Sequence, residues 1–177
     1  MKKIISTLFL MVVCLSSFAG NPFKVTLGKE NVKNIMRDAA VAVVEYDWSS
    51  TMYDNKITAK EKFGGDYDFV VNDCQRSFVS AFNGASKGLR LSSEPTDNAK
   101  YKLVLKISNV DSFFAAMSFV PRNEAKMWGK ATIYSIESGE KMLEVTIDEA
   151  EDGQDFVWRE CFGKTFGEMG KRLAKLK

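Results

Sequence analysis

Three stretches of this sequence alternate apolar and polar residues strictly, and that constrains the fold more than any other feature. In "YKLVLKIS", residues 101–108, Tyr101, Leu103, Leu105 and Ile107 share one face; in "KMLEVTID", residues 141–148, Leu143, Val145 and Ile147 do; "KATIYSI", residues 130–136, is the third. A period of two is the mark of a half-buried strand. Lys102, Lys106 and Glu144 fall on the opposite face, so the pattern predicts an antiparallel sheet with one side in the core and one in water. A turn at Ser138 and Gly139 joins the second and third stretches as a hairpin, and "LRLS" at 89–92 reads as a short further strand.

Upstream, residues 21–38 mix short apolar stretches with turn signals and read as a leading strand or a turn of helix. "AAVAVVEYDW", residues 39–48, is nearly unbroken apolar and β-branched, as expected of a strand covered on both sides or central in a sheet. After Gly64 and Gly65, Asp66 is placed to cap a helix running to about Asn83, with Gly84 as its stop. A second helix closes the chain. These elements predict an α+β two-layer sandwich: a mixed, mostly antiparallel sheet of about five strands with two helices on one face. Without repeats or linkers, residues 20–177 are expected to form one domain.

The final helix carries Gly163, Gly167 and Gly170, each costing about 1 kcal/mol against alanine in a helix interior. At helical spacing Trp158, Phe162, Phe166, Met169, Leu173 and Leu176 form the stripe that meets the sheet. The glycines and Ala174 line one flank, Cys161 and Thr165 the other. On the first helix Val71, Cys74, Phe78 and Phe82 face the core, and Ser77 with Ala81 makes a small-residue flank. Two arrangements stay open. Either the glycines pack against Ser77 and Ala81, which small residues permit at close range, or the cysteine flank faces the first helix and the glycine stripe is left for solvent or self-association.

The second arrangement would allow a Cys74–Cys161 disulfide, in keeping with two cysteines in an exported chain. Against it, a parallel first crossover followed by a meander makes the two helices antiparallel and sets the cysteines toward opposite ends, whereas a bridge needs Cα atoms within about 7 Å.

Export itself is read from residues 1–19. Lys2 and Lys3 precede an apolar run from Ile4 to Leu15, and small residues lead to a cleavage point after Ala19. That is the composition of a secretory signal peptide, and the run is too short to span a bilayer. Cys14 is preceded by Met11, Val12 and Val13, none of them small, which argues against cleavage and lipidation there. Taking residues 1–19 from the 177 leaves 158, enough for a domain with a real core. Losing Lys2 and Lys3 brings the 25 basic residues to 23, equal to the 23 acidic ones. A chain without basic excess is a poor candidate for nucleic acid. The expected location is the periplasm or cell envelope, with no transmembrane segment in the mature chain.

Catalytic patterns fail on inspection. The chain has no histidine, which removes Ser-His and Cys-His nucleophile pairs and the commonest transition-metal ligand. "GASKG" at 84–88 fits a nucleophile-elbow pattern, but a helix precedes Ser86 and a strand follows, the reverse of what that chemistry needs. Ser138 and Lys141 fit S-x-x-K only across a hairpin turn. In "DEAEDGQDFVWRE" Asp148, Asp152 and Gly153 fall at calcium-loop positions, but Ala150 and Arg159 stand where ligands belong. The run reads instead as a turn whose Asp152 or Asp155 caps the final helix. Asp66 and Asp68 are helix-start residues, and Lys171, Arg172, Lys175 and Lys177 answer the dipole of the final helix, the alternative being an anionic-lipid contact. No metal, cofactor or catalytic residue is expected.

One stretch resists such readings. "DSFFAAMSFVPRNEAKMW", residues 111–128, is too apolar for an ordinary connection. Phe113, Phe114, Met117 and Phe119 either extend a strand and cap the core, or form an adaptable apolar patch for a partner protein or a small apolar ligand.

The layout of residues 39–177 resembles small Gram-negative envelope domains of the kind found at the N-terminus of TolB and in the penicillin-binding-protein activator LpoB. "AVAVVEYDW" matches their first strand and "IYSIESGEKM" their D-x-x-[ST]-G hairpin, although Ser135 stands in the place of the aspartate. The resemblance implies a non-enzymatic module that docks another envelope protein, and transfers no individual residue role.

Overall fold

The computed structural model describes residues 21–115 and 122–177. The leader, Cys14, Met117 and Phe119 therefore lie outside the described residues.

Eight strands form one mixed sheet: β1 (Phe23–Leu27), β2 (Val41–Asp47), β3 (Met52–Tyr53), β4 (Ile57–Thr58), β5 (Arg90–Ser92), β6 (Ala99–Ala115), β7 (Arg122–Ser135) and β8 (Lys141–Asp155). The helices are α1 (Val32–Arg37), α2 (Ala59–Phe63), α3 (Tyr67–Ala85) and α4 (Trp158–Leu173), with 3₁₀ turns at Lys29–Asn31 and Gly64–Asp66. The strand order is β1-β8-β7-β6-β2-β5, with β3 and β4 attached beside β6. This overturns the expected two-layer sandwich of about five strands and two helices. The added strands come from residues 21–58, and the three long strands run well past their alternating segments.

The alternating segments end where the register slips. On β6 the buried positions Tyr101, Leu103, Leu105 and Ile107 give way to Val110, because pairing with β7 shifts between Ile107 and Asn109. On β8 they pass from Ile147 to Ala150 across Glu149, whose φ is +53°. A bulge moves the inward face by one residue. Beyond it β6, β7 and β8 continue as an arm, so residues 148–155, expected to form a turn, are strand.

The direction of the last helix also differs from expectation. Both β5 and β6 lie parallel to β2, on its two sides, so they are not consecutive strands of one meander. Two antiparallel steps from β6 through β7 then make β8 parallel to β2 as well. The facing positions of α3 and α4 rise together, Gly163 beside Asp73, Gly167 beside Ser77 and Ala81, and Gly170 beside Phe78, so the two helices run parallel to one another. Their N-terminal ends meet at an Arg159–Asp66 ion pair of 3.2 Å; Asp66 makes no side-chain cap to its own helix.

The core lies between these helices and the inward residues of the strands. Val70, Cys74, Phe78 and Phe82 point inward from α3, a perfect i, i+4 ladder in which Val70 replaces the expected Val71; Phe162, Phe166, Met169 and Leu173 do so from α4. Trp48, just after β2, stacks on Phe166 with ring centres 5.3 Å apart. The opposite face of the sheet carries cross-strand pairs in water, Lys102 with Glu45 at 3.5 Å and Lys130 with Glu144 at 2.9 Å.

Candidate functional site

The three features singled out in the sequence occupy different places. The glycine flank of α4 lies on α3. A Cβ at Gly170 would stand 2.4 Å from the backbone oxygen of Phe78, and one at Gly167 would touch Ser77 and Ala81 at ordinary contact distance. Gly163 is opened by Asp73, whose carboxylate occupies the space a side chain would take. A solvent-facing groove of about 630 Å³ remains above Gly163 and Gly167, flanked by Phe69, Arg76 and Glu160.

The cysteine flank meets the sheet. The Thr165 hydroxyl donates to the Ala125 carbonyl of β7 at 3.1 Å, and the Cys161 thiol donates to the Trp158 carbonyl one turn back. Cys74 and Cys161 are both free and buried, so the bridge left open by the sequence is not formed. The antiparallel argument against it does not hold, since the helices are parallel; both thiols lie in the buried core, and that of Cys161 is engaged by its own helix backbone. Desolvation raises the thiol of Cys161 to about 12 and drives that of Cys74 well above its ordinary range, with Asp73 adding to the latter. Thiols kept protonated in this way are poor nucleophiles.

Of the apolar segment 111–128, the described residues 111–115 and 122–128 are the paired ends of β6 and β7. Asp111 pairs with Lys126, Phe113 with Glu124 and Phe114 with Asn123. Neighbours on a strand face opposite ways, so Phe113 and Phe114 do not form one patch. Phe113 lies under the Lys126 ammonium, 5.3 Å from the ring centre, and Lys126 is ion-paired with Glu149 and Glu151. Phe114, 61% exposed, is on the other face, and Phe156, at 69%, follows the end of β8 beside it. Asn123 ties the two together: it pairs across from Phe114 and donates from its side-chain amide to the Phe156 carbonyl at 2.9 Å.

Sequence reasoning passed over Phe156 because it was counted into an acidic turn. The usable signal was "FVW" at 156–158, three large apolar residues directly after Asp155. Asp155 itself is held below the usual carboxylate range by Lys164 and by the Val157 amide, to which it gives a hydrogen-bond acceptor at 3.1 Å. Behind the arm, the buried Phe63 is packed by Tyr53, Trp158 and Phe162, at ring distances of 6.0, 5.8 and 5.1 Å. Through Trp158, two residues after Phe156, the start of α4 is anchored in this aromatic cluster.

The residues considered for chemistry are spent on structure. Ser86 donates to the Leu89 carbonyl at 2.6 Å as α3 ends. Lys141 reaches Glu144 rather than Ser138. Among the described residues no three acids or thiols are grouped to hold a metal ion, and no helix is long and apolar enough to cross a membrane.

No protein-family profile matches this chain, and no curated protein does. Among solved structures it is similar to the PelC dodecamer from Paraburkholderia phytofirmans, with 10% identity, 87% of this chain and 96% of that one covered, and a TM-score of 0.43. It is also similar to a Xanthomonas campestris protein of the DUF330 family, with 12% identity, 78% and 83% covered, and a TM-score of 0.41. Likenesses at this level carry no argument about function.

Proposed function

We propose that this chain is a non-catalytic interaction module of the bacterial envelope that docks a partner protein through the end of the β6–β7–β8 arm. The observation that carries the reading is that Phe114 and Phe156, the two most exposed large apolar side chains among the described residues, stand at the same end of the β6–β7–β8 arm. Rigid aromatic rings lose little entropy on binding and are the usual anchors of protein interfaces. The leader-like composition of residues 1–19 and the resemblance to envelope docking domains support the compartment. The histidine-free sequence and the engagement of Asp66 by Arg159 and of Asp155 by Lys164 support the non-catalytic part.

The test is a photo-crosslinking amino acid placed at position 114 in living cells, with position 138 on the distant hairpin as control. A discrete protein adduct is expected at 114 alone, lost when Phe156 is changed to Ser. Equal labelling at both positions, or none at 114, would refute the docking role.

A further inference from the structure

Over most of the surface, lysines come with acids. Lys102 meets Glu45, Lys106 meets Asp47, Lys130 and Lys141 meet Glu144, and Lys164 meets Asp155. One region departs from this. Two grooves, of about 720 and about 250 Å³, adjoin at Leu176 and Lys177 where β1, α1 and the end of α4 come together. Their walls hold Lys24, Lys29, Lys33, Arg37, Lys175 and Lys177, all exposed. None of these six forms an ion pair among the described residues; beside them in sequence stand Glu30 and Asp38, the latter engaged by Lys100, and Glu168 holds Arg172 of the larger groove.

The helix dipole accounts for part of this cluster only. Lys175 and Lys177 follow the C-terminus of α4, where positive charge is favourable. Lys24 and Lys29 belong to no such helix end, and Lys33 stands in the first turn of α1, where positive charge is disfavoured. A cluster that includes cations at an unfavourable site calls for an external counter-charge.

The grooves also contain apolar surface. Leu176, half-buried against the core, lies in both, and Phe23, Val25 and Met36 line one or the other. Asn21, the first described residue, lines the larger groove. Ahead of it in sequence is the apolar run from Ile4 to Leu15. The five residues 16–20 can span at most about 17 Å, on the order of two screening lengths in physiological salt. Before cleavage after Ala19, while that run is seated in a bilayer, the six cations are held where the potential of an anionic leaflet acts on them.

We infer that this face seats against an anionic phospholipid surface, the basic side chains meeting lipid phosphates. Clusters of four to eight Lys or Arg beside an apolar segment have this chemistry. The inference rests on the envelope reading for its membrane but not on the aromatic arm. The face is at the far end of α4 from Phe156, so the two can fail separately.

The test uses the chain from Gly20 onward, as left by cleavage after Ala19, with vesicles of phosphatidylcholine alone and vesicles that also contain phosphatidylglycerol. With Lys2 and Lys3 of the leader gone, the ratio of the two affinities reads the basic face. A preference for phosphatidylglycerol on the order of tenfold is expected in low salt, shrinking as salt is raised. The variant K24E/K29E/K175E/K177E should bind both vesicles alike and keep the parent's thermal melt. Should it misfold, the exposed single changes Lys29→Glu and Lys177→Glu should each reduce the ratio. Phe114→Ser should leave it untouched. No preference in the parent, an unaltered preference in the charge-reversed chains, or tighter capture by single-stranded RNA at the same salt would overturn the inference.

Discussion

The three glycines of α4 are a controlled series, because each faces a different obstacle. At Gly170 an added methyl meets the Phe78 carbonyl, part of a helix backbone that cannot yield cheaply. Gly170→Ala is therefore expected to lose about 1–3 kcal/mol, the usual cost of overpacking. Gly163 is blocked by the end of the Asp73 side chain, which can swing away, and Gly167 has room. Gly167→Ala should gain up to about 1 kcal/mol from helix propensity, with Gly163→Ala between the two. Urea midpoints in any other order would show that the helices do not approach along this flank. Glu144 makes a second residue-scale prediction. Lys141, then Lys130, holds its carboxylate at about 2, below the ordinary 4.5. A depressed folded value means stability present above about pH 4.5 and lost as pH falls toward 2. The gap in urea midpoint between the parent and Glu144→Gln should close across that window; a gap independent of pH would show that the charge contributes nothing.

Among the elements, the strands and helices of the core were legible because burial imposes a period. What the sequence concealed was the point at which the period changes phase. Val110 and Ala150 are buried one position out of step with the residues before them, so "YKLVLKIS" and "KMLEVTID" look finished where the strands in fact bend. For the same reason Phe113 and Phe114 read as one patch while lying on opposite faces. The direction of α4 was hidden differently: no local pattern says that β5 and β6 flank β2 instead of following one another. Short elements are visible through their caps. Thr58 and Glu61 form a reciprocal capping box at the start of α2, which sets Phe63 into the aromatic cluster that anchors the start of α4. Thr58→Ala should cost about 1 kcal/mol and speed amide exchange over residues 59–63 while leaving α4 protected. Exchange spreading equally through α4 would mean that α2 has no separate stability.

On the scale of the whole molecule, charge and shape are arranged end to end, with the exposed rings at one end of α4 and the unpaired cations at the other. No histidine is present, and both thiols are held protonated through neutral pH. The melting temperature should accordingly be level between about pH 5 and 8, since no side chain changes charge there; a step in that range would mean that a carboxylate or thiol is placed otherwise. The buried thiols have one more use. A reagent can alkylate Cys74 only when the packing around α3 opens, and Cys161 only when that around α4 does. The pair is a built-in clock with two hands, and the ratio of their labelling rates would time the opening of each helix separately in the unmodified protein.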